Sequence, residues 1–151
     1  MQNKKDQVKE WNRHYKSENK LMFWPSEALI RSINFIKSKL SGHVKILDYG
    51  CGNGRNTNFF ILDKNIFKKK FNYYGFDISK NAINIAKLKT NSKKFRFDTK
   101  IYEQKYNLIL CIAVLDQMVQ EQREKALDKI YDLMNAKSYL ILDVLMKNKF
   151  F

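Results

Sequence analysis

The run Val44-Lys45-Ile46-Leu47-Asp48-Tyr49-Gly50-Cys51-Gly52-Asn53-Gly54-Arg55-Asn56-Thr57 decides how the rest of the chain is read. Residues 44–48 read as a short strand that ends on a carboxylate, Asp48. Three glycines follow at alternate positions, and then a helix over roughly residues 56–62. A glycine loop at the end of a strand lets the backbone take positive φ and come close to a ligand. Two phosphate-binding readings fail on spacing. A dinucleotide loop is G-x-G-x-x-G, whose third glycine permits tight helix–strand packing. Counted from Gly50 and Gly52, that place holds Arg55. The Walker loop G-x-x-x-x-G-K-[ST] does not occur in the sequence.

Downstream, strands and helices alternate. Residues 73–77 read as a second strand. Ser79 then caps a helix over 81–89, with Ala82, Ile85, Ala86 and Leu88 on or near one face. Residues 94–97 form a short third strand. Residues 106–113 form a strongly apolar fourth, as expected of a strand buried on both faces. A helix over 120–134 carries Ala126, Leu127, Ile130, Leu133 and Met134 as its apolar stripe, and residues 139–145 are a fifth strand. Lys68, Lys69 and Lys70 fall in a connection and read as solvated surface. Upstream, Val8, Trp11 and Tyr15 sit at helical spacing in a polar stretch. Pro25 stands at a first helical position. Leu29, Ile30, Ile33, Ile36 and Leu40 extend a helix over about 26–40, which Gly42 stops. The class is therefore α/β: a mainly parallel sheet with helices on both faces. Its ligand is expected beyond the carboxyl ends of the strands, where strand order reverses.

The chain has 151 residues, enough for one domain with an apolar core. Its longest apolar run, residues 108–115, is far short of the about 20 that a membrane span needs. The polar first ten residues have no apolar h-region of a secretory signal. Cys51 and Cys111 form no CxxC pair and read as two reduced cysteines in a cytoplasmic protein. A net charge of +14 raises nucleic acid as a partner. However, 24 of the 29 basic residues are Lys and five are Arg, whereas bidentate phosphate recognition prefers Arg. The chain is also rich in Asn, Ile, Phe and Tyr, a pattern that fits a base-composition bias in the gene as a source of the Lys excess.

The combination D-x-G-C-G-x-G over residues 48–54 resembles motif I of the class I S-adenosylmethionine-dependent methyltransferases, and further landmarks follow in order over about 44–146. The resemblance implies a Rossmann-like three-layer sandwich with about five strands in the order 3-2-1-4-5. It also implies S-adenosyl-L-methionine as cofactor and no metal. Within it, Asp48 places negative charge near the ammonium and sulfonium end, and the loop Gly50, Cys51, Gly52, Asn53 and Gly54 lets backbone approach the methionine part. Asp77, in Tyr74-Gly-Phe-Asp77-Ile78, takes the place of the acid that binds both ribose hydroxyls; two acceptor oxygens suit a vicinal diol. Without the resemblance, Asp77 reads as a helix cap or turn residue. Asp98 matches the acid that contacts the adenine amino group, and Ile78 and Phe97 flank the ring. Backbone carbonyls around Cys111, Ile112 and Ala113 receive the ammonium. The run G-N-G-R-N is similar to the small-molecule branch that includes tellurite-resistance-type methyltransferases. There, Arg55 either pairs with the methionine carboxylate or caps structure near the loop.

The resemblance also shapes the expectation for the acceptor. No [DN]-P-P-[YF] follows the fourth strand, which argues against adenine or glutamine N-methylation. Asp116 and His14 are the bases worth naming, each with a structural role as the alternative. Residues 1–43 are expected to form a helical lid whose Tyr15, Phe23 and Trp24 wall the acceptor pocket; the alternative is that the aromatics staple the first helices to the sheet. Residues 44–151 are the cofactor domain. The family has seven strands, and the chain given stops after the fifth, leaving an exposed apolar edge. A fragment, a minimal fold, or a partner or second copy on that edge all answer this. The expected activity is methyl transfer to a small molecule or biosynthetic intermediate. The alternatives are an RNA or DNA methyltransferase and a cofactor-binding domain without activity.

Overall fold

A computed structural model describes residues 4–16, 22–63, 66 and 70–144. The elements run α1 (Lys4–His14), α2 (Glu27–Ile36), β1 (Val44–Tyr49), α3 (Thr57–Leu62), β2 (Phe71–Phe76), α4 (Lys80–Lys87), β3 (Phe95–Asp98), β4 (Tyr106–Ile112), a 3-10 turn (Leu115–Gln117), α5 (Gln120–Leu133) and β5 (Met134–Asp143). The sheet has the order β3-β2-β1-β4-β5, and its four neighbouring pairs are parallel. The reversal point therefore lies between β1 and β4.

Alternation along the strands sends neighbouring side chains to opposite faces. Ile46 joins Leu29 and Ile33 of α2, Phe60 of α3 and Ala86 of α4 in one apolar layer. Leu47, one residue on, joins Ala126, Ile130 and Leu133 of α5 in the other. Opposite faces follow from handedness: right-handed crossovers that step outward to β2 and β3 put α3 and α4 on one side, and the step to β5 puts α5 on the other. Leu29, Ile33, Ile46, Leu47, Leu108 and Ile109 have no exposed surface, each worth about 1.5–3 kcal/mol of burial.

Two boundaries differ most from the sequence expectation. The helix expected over 26–40 ends at Ile36, where Lys37 caps it. Ser26 starts it, its hydroxyl accepting from Ala28 N–H at 3.2 Å. The fifth strand begins at Met134, directly after α5, and not at 139. Its register jumps between Tyr106↔Met134 and Leu108↔Tyr139. The extra residues bulge out and are held by Ser138 Oγ, which donates to Tyr106 O at 2.6 Å and accepts from Asn135 N–H at 2.6 Å. A hydroxyl standing in for the ladder is not visible in apolar periodicity. Lys68, Lys69 and the end of the expected fifth strand at Leu145 lie outside the described residues.

Candidate functional site

β1 runs straight into the glycine loop. Gly50 N–H and Cys51 N–H both donate to Phe76 O at 2.8 Å, tying the bend to the end of β2. Gly50 has φ +76° and Gly52 φ +55°. A Cβ at Gly50 would run into Val114, and one at Gly52 into the Tyr15 hydroxyl. The close approaches at both glycines are therefore real constraints. Gly75 in β2 is a third: a Cβ there would meet the Phe97 ring and Cys51 Sγ, 2.9 Å away.

Asp77 follows β2 and faces the bend. Its Oδ2 accepts from Gly52 N–H at 2.9 Å and its Oδ1 from Ser79 N–H at 2.8 Å. Each oxygen keeps a further acceptor site. Burial pushes its pKa up, and the Ser79 and Gly52 N–H groups pull it back down.

Beyond the ends of β1, β2 and β4 lies a cavity of about 590 Å³. Tyr49 and Gly50, Phe76, Asp77 and Ile78, and Ala113 and Val114 form its strand side. Ala113 itself sits at φ +56°, a strained conformation for a residue with a Cβ, at the turn where β4 leaves the sheet. Gln122, Lys125, Ala126 and Lys129 of α5 form the opposite wall, and Gln7 and Trp11 of α1, with Tyr15 directly after it, the roof. α1 is latched at both ends. Asn12 Oδ1 accepts from Ser79 Oγ at 2.9 Å and from Asn81 N–H at 3.2 Å, while Gln7 Nε2 donates to Gln122 Oε1 at 2.8 Å. Burial, with the Asp77 carboxylate next, pushes the Tyr15 phenol up.

Among the residues singled out from the sequence, Tyr15, Gly50, Asp77, Ile78 and Ala113 line this cavity. Others sit elsewhere. Asp48 is buried beneath the loop, accepting from Tyr73 Oη and from Asn56 Nδ2 at 3.4 Å. It faces these two side chains and does not line the cavity. Burial pushes its carboxyl up to about 6, against the pull of the Tyr73 and Asn56 hydrogen bonds. Cys51, Cys111 and Ile112 are core residues, and so is Phe97, which packs on Tyr73. Gly52 is buried, its N–H on Asp77; Gly54 packs toward Ala86 of α4.

Asn53 and Arg55 turn away from the cavity. Asn53 Nδ2 donates to Met22 O at 2.9 Å and Arg55 Nη1 reaches Met22 Sδ at 2.9 Å. With Asn58 Nδ2 on Phe23 O at 2.7 Å and Asn56 Oδ1 accepting from Ser26 N–H at 3.1 Å, the loop holds the segment before α2. Of the two sequence alternatives for Arg55, this contact is the capping one. Phe23 and Trp24, expected in the acceptor wall, are 61% and 83% exposed and do not line the cavity. Their backbone is fixed from outside the pocket, so only Tyr15 of that aromatic set reaches it. His14 stacks edge-on against Trp11 and Tyr15 but is not a lining residue. Asp98 turns to Lys100 N–H at 3.1 Å, and its backbone carbonyl accepts from Asp77 N–H at 3.3 Å. Asp116 accepts from Gln117 Nε2 at 2.5 Å, and its buried Oδ1 has no partner among the described residues. Among the described residues no His, Cys, Asp and Glu group has metal-site geometry, and no helix is long and apolar enough to cross a membrane.

The sequence reading missed the α5 wall and Gln7. Residues 122, 125, 126 and 129 share one face by helical spacing, but nothing local marks that face as lining a cavity.

A family model for a methyltransferase domain matches residues 22–149. The carboxy-S-adenosyl-L-methionine synthase of Campylobacter jejuni subsp. jejuni (strain 81-176) is 29% identical over 117 residues, covering 72% of this chain and 47% of that protein. The chain thus spans about half the length of the curated relatives it matches. A solved structure concerned with the conversion of a disulfide bond into a thioacetal group during echinomycin biosynthesis superposes with a TM-score of 0.68 at 15% identity, over 88% of this chain and 57% of that one. A SAM-dependent methyltransferase from Geobacter sulfurreducens in complex with S-adenosyl-L-homocysteine gives 0.60 at 14% identity, over 87% and 53%. At these identities the two structures establish the fold.

Proposed function

This chain belongs to the methyltransferase-domain family, and on that premise we propose that it binds S-adenosylmethionine in the cavity beyond β1 and β2 and methylates a small-molecule acceptor. The observation that carries the reading is Asp77 on Gly52 N–H at 2.9 Å, beside an open cavity of about 590 Å³. That volume lies within the roughly 300–1,000 Å³ of small-molecule sites. The residues fit the cofactor: the bend at Gly50 is kept bare of side chain, and the Asp77 carboxylate has acceptor capacity left for a vicinal diol. In this reading Asp77 holds the ribose, Ile78 lies beside the base and the backbone at Gly50 and Ala113 faces the amino-acid end. When bound, the cofactor supplies a methyl group already activated on a sulfonium.

The chain's own residues then have two tasks. Trp11, Tyr15, Tyr49 and Phe76 exclude water and offer ring faces to a cation. α1, latched through Asn12 and Gln7, acts as the lid that fixes the acceptor in line with the methyl, where alignment supplies most of the acceleration. Asp116 and His14 do not line the cavity, so proton abstraction by either is not part of this mechanism. In this reading α1 with Tyr15 serves as lid, while α2 packs on the sheet as part of the cofactor domain.

Titration calorimetry with S-adenosylhomocysteine tests the reading. Binding by the intact chain is expected, with a loss of about 1.5–3 kcal/mol in Asp77→Ala, the worth of hydrogen bonds to a charged group. No binding, or unchanged binding in the variant, rejects it.

A further inference from the structure

The helix-side wall carries charge that the cofactor reading leaves unused. Lys125 and Lys129 stand one turn apart on the face of α5 that lines the cavity. Lys125 Nζ pairs with Glu121 Oε1 at 2.6 Å, and Glu121 also lines the cavity. Lys129 Nζ pairs with Glu103 Oε2 at 2.7 Å, and Glu103 lies outside the lining. Two ammonium groups therefore face this end against one carboxylate. Both pairs are open to solvent, with side chains 37–74% exposed. Pairs of this kind are weak and exchange partners readily. Gln117 and Gln122 add neutral amides, while Trp11, Met118, Val119 and Ala126 make the rest of this end apolar. The chain's net charge of +14 draws anions at long range.

We propose that the acceptor is a small molecule with an apolar body and an anionic head, a carboxylate or a phosphate monoester, held between Lys125 and Lys129. The inference rests on the proposed function in one respect: it assigns the strand-side end, with Asp77, to the cofactor. Lysine acts as a point charge and suits either head. The body lies along Trp11 and Met118, and the head reaches the mouth of the cavity, where the lysines leave their glutamates for it.

Ligand-observed NMR titration of the intact chain with phenylacetate, phenyl phosphate and uncharged 2-phenylethanol tests this, with and without S-adenosylhomocysteine. Both anions are expected to bind at least about tenfold more tightly than the alcohol. The Lys125→Gln/Lys129→Gln double variant brings them to within about twofold of it, and Glu121→Gln, which frees Lys125, tightens them about twofold. The ratio between phenylacetate and phenyl phosphate distinguishes the two heads. Equal binding of alcohol and anions, or an anion preference that survives the double substitution, overturns the proposal. S-adenosylhomocysteine affinity is measured separately. Its absence overturns the cofactor reading, whereas the anion preference, read without the nucleoside, stands or falls by itself.

Discussion

The strand-side end of the cavity and its helix-side end are built differently. On the strand side the contacts are backbone contacts. Gly50 and Cys51 N–H share Phe76 O, Gly52 N–H binds Asp77, and the glycine bend cannot take a side chain. On the helix side the contacts run through long side chains: Gln7 to Gln122, Lys125 to Glu121, Lys129 to Glu103. A backbone-defined site is already ordered before the ligand arrives, so little entropy is lost on binding. A site of solvated long side chains must be ordered by its ligand, but it is free to take different ones. One cavity thus joins a preformed half to an adaptable half.

The comparison breaks most completely at Gly52. Gly52→Ala adds about 1–2 kcal/mol of left-handed strain, and its methyl group would press on the Tyr15 hydroxyl. S-adenosylhomocysteine affinity should fall by about two orders of magnitude, and Tyr15→Phe in the same chain should recover the part due to the hydroxyl but not the strain.

Asp48 sharpens the view beneath the loop. Its folded pKa of about 6 lies above the 3.8 of a free carboxyl. The folded state therefore binds the extra proton between these values, so Asp48's own contribution to stability is full below about 3.8 and is lost as pH rises through about 6. The gap corresponds to at most about 3 kcal/mol. Asp48→Asn should flatten urea-unfolding stability between pH 4 and pH 6 and leave the variant no less stable than the parent at pH 7.

Smaller effects separate the lid from the loop. Asn12→Ala removes the acceptor for Ser79 Oγ and Asn81 N–H; about 1 kcal/mol of closure is lost, and stopped-flow should show S-adenosylhomocysteine leaving about fivefold faster. Asn53→Ala frees Met22 O; melting should drop by about 2–4 °C, with nucleoside affinity unchanged, because Asn53 holds the segment before α2 and not the ligand.

Legibility followed the range of the forces involved. The strand-to-helix alternation, the glycine bend and Asp77 are local: alternation sets the faces, and a bend needs its glycines in sequence. The side-chain directions of Asp48, Asn53 and Arg55 are not local. All three lie in the motif run, yet Tyr73 on Asp48 and Met22 on Asn53 and Arg55 come from 25 to 33 positions away. Phe23 and Trp24 look like pocket aromatics in sequence, but the hydrogen bond from Asn58 to Phe23 O holds their backbone outside the pocket.

The amino-acid order alone determined a parallel α/β chain with its glycine bend at the first strand's end, because hydrophobic period and glycine placement act over a few residues and survive any packing. Only the tertiary structure decided which motif residues face the cavity, that α1 roofs it, and that two lysines of α5 close its far side. Those facts depend on which helix lands on which face of the sheet, and they arise only when distant segments compete for the same buried space.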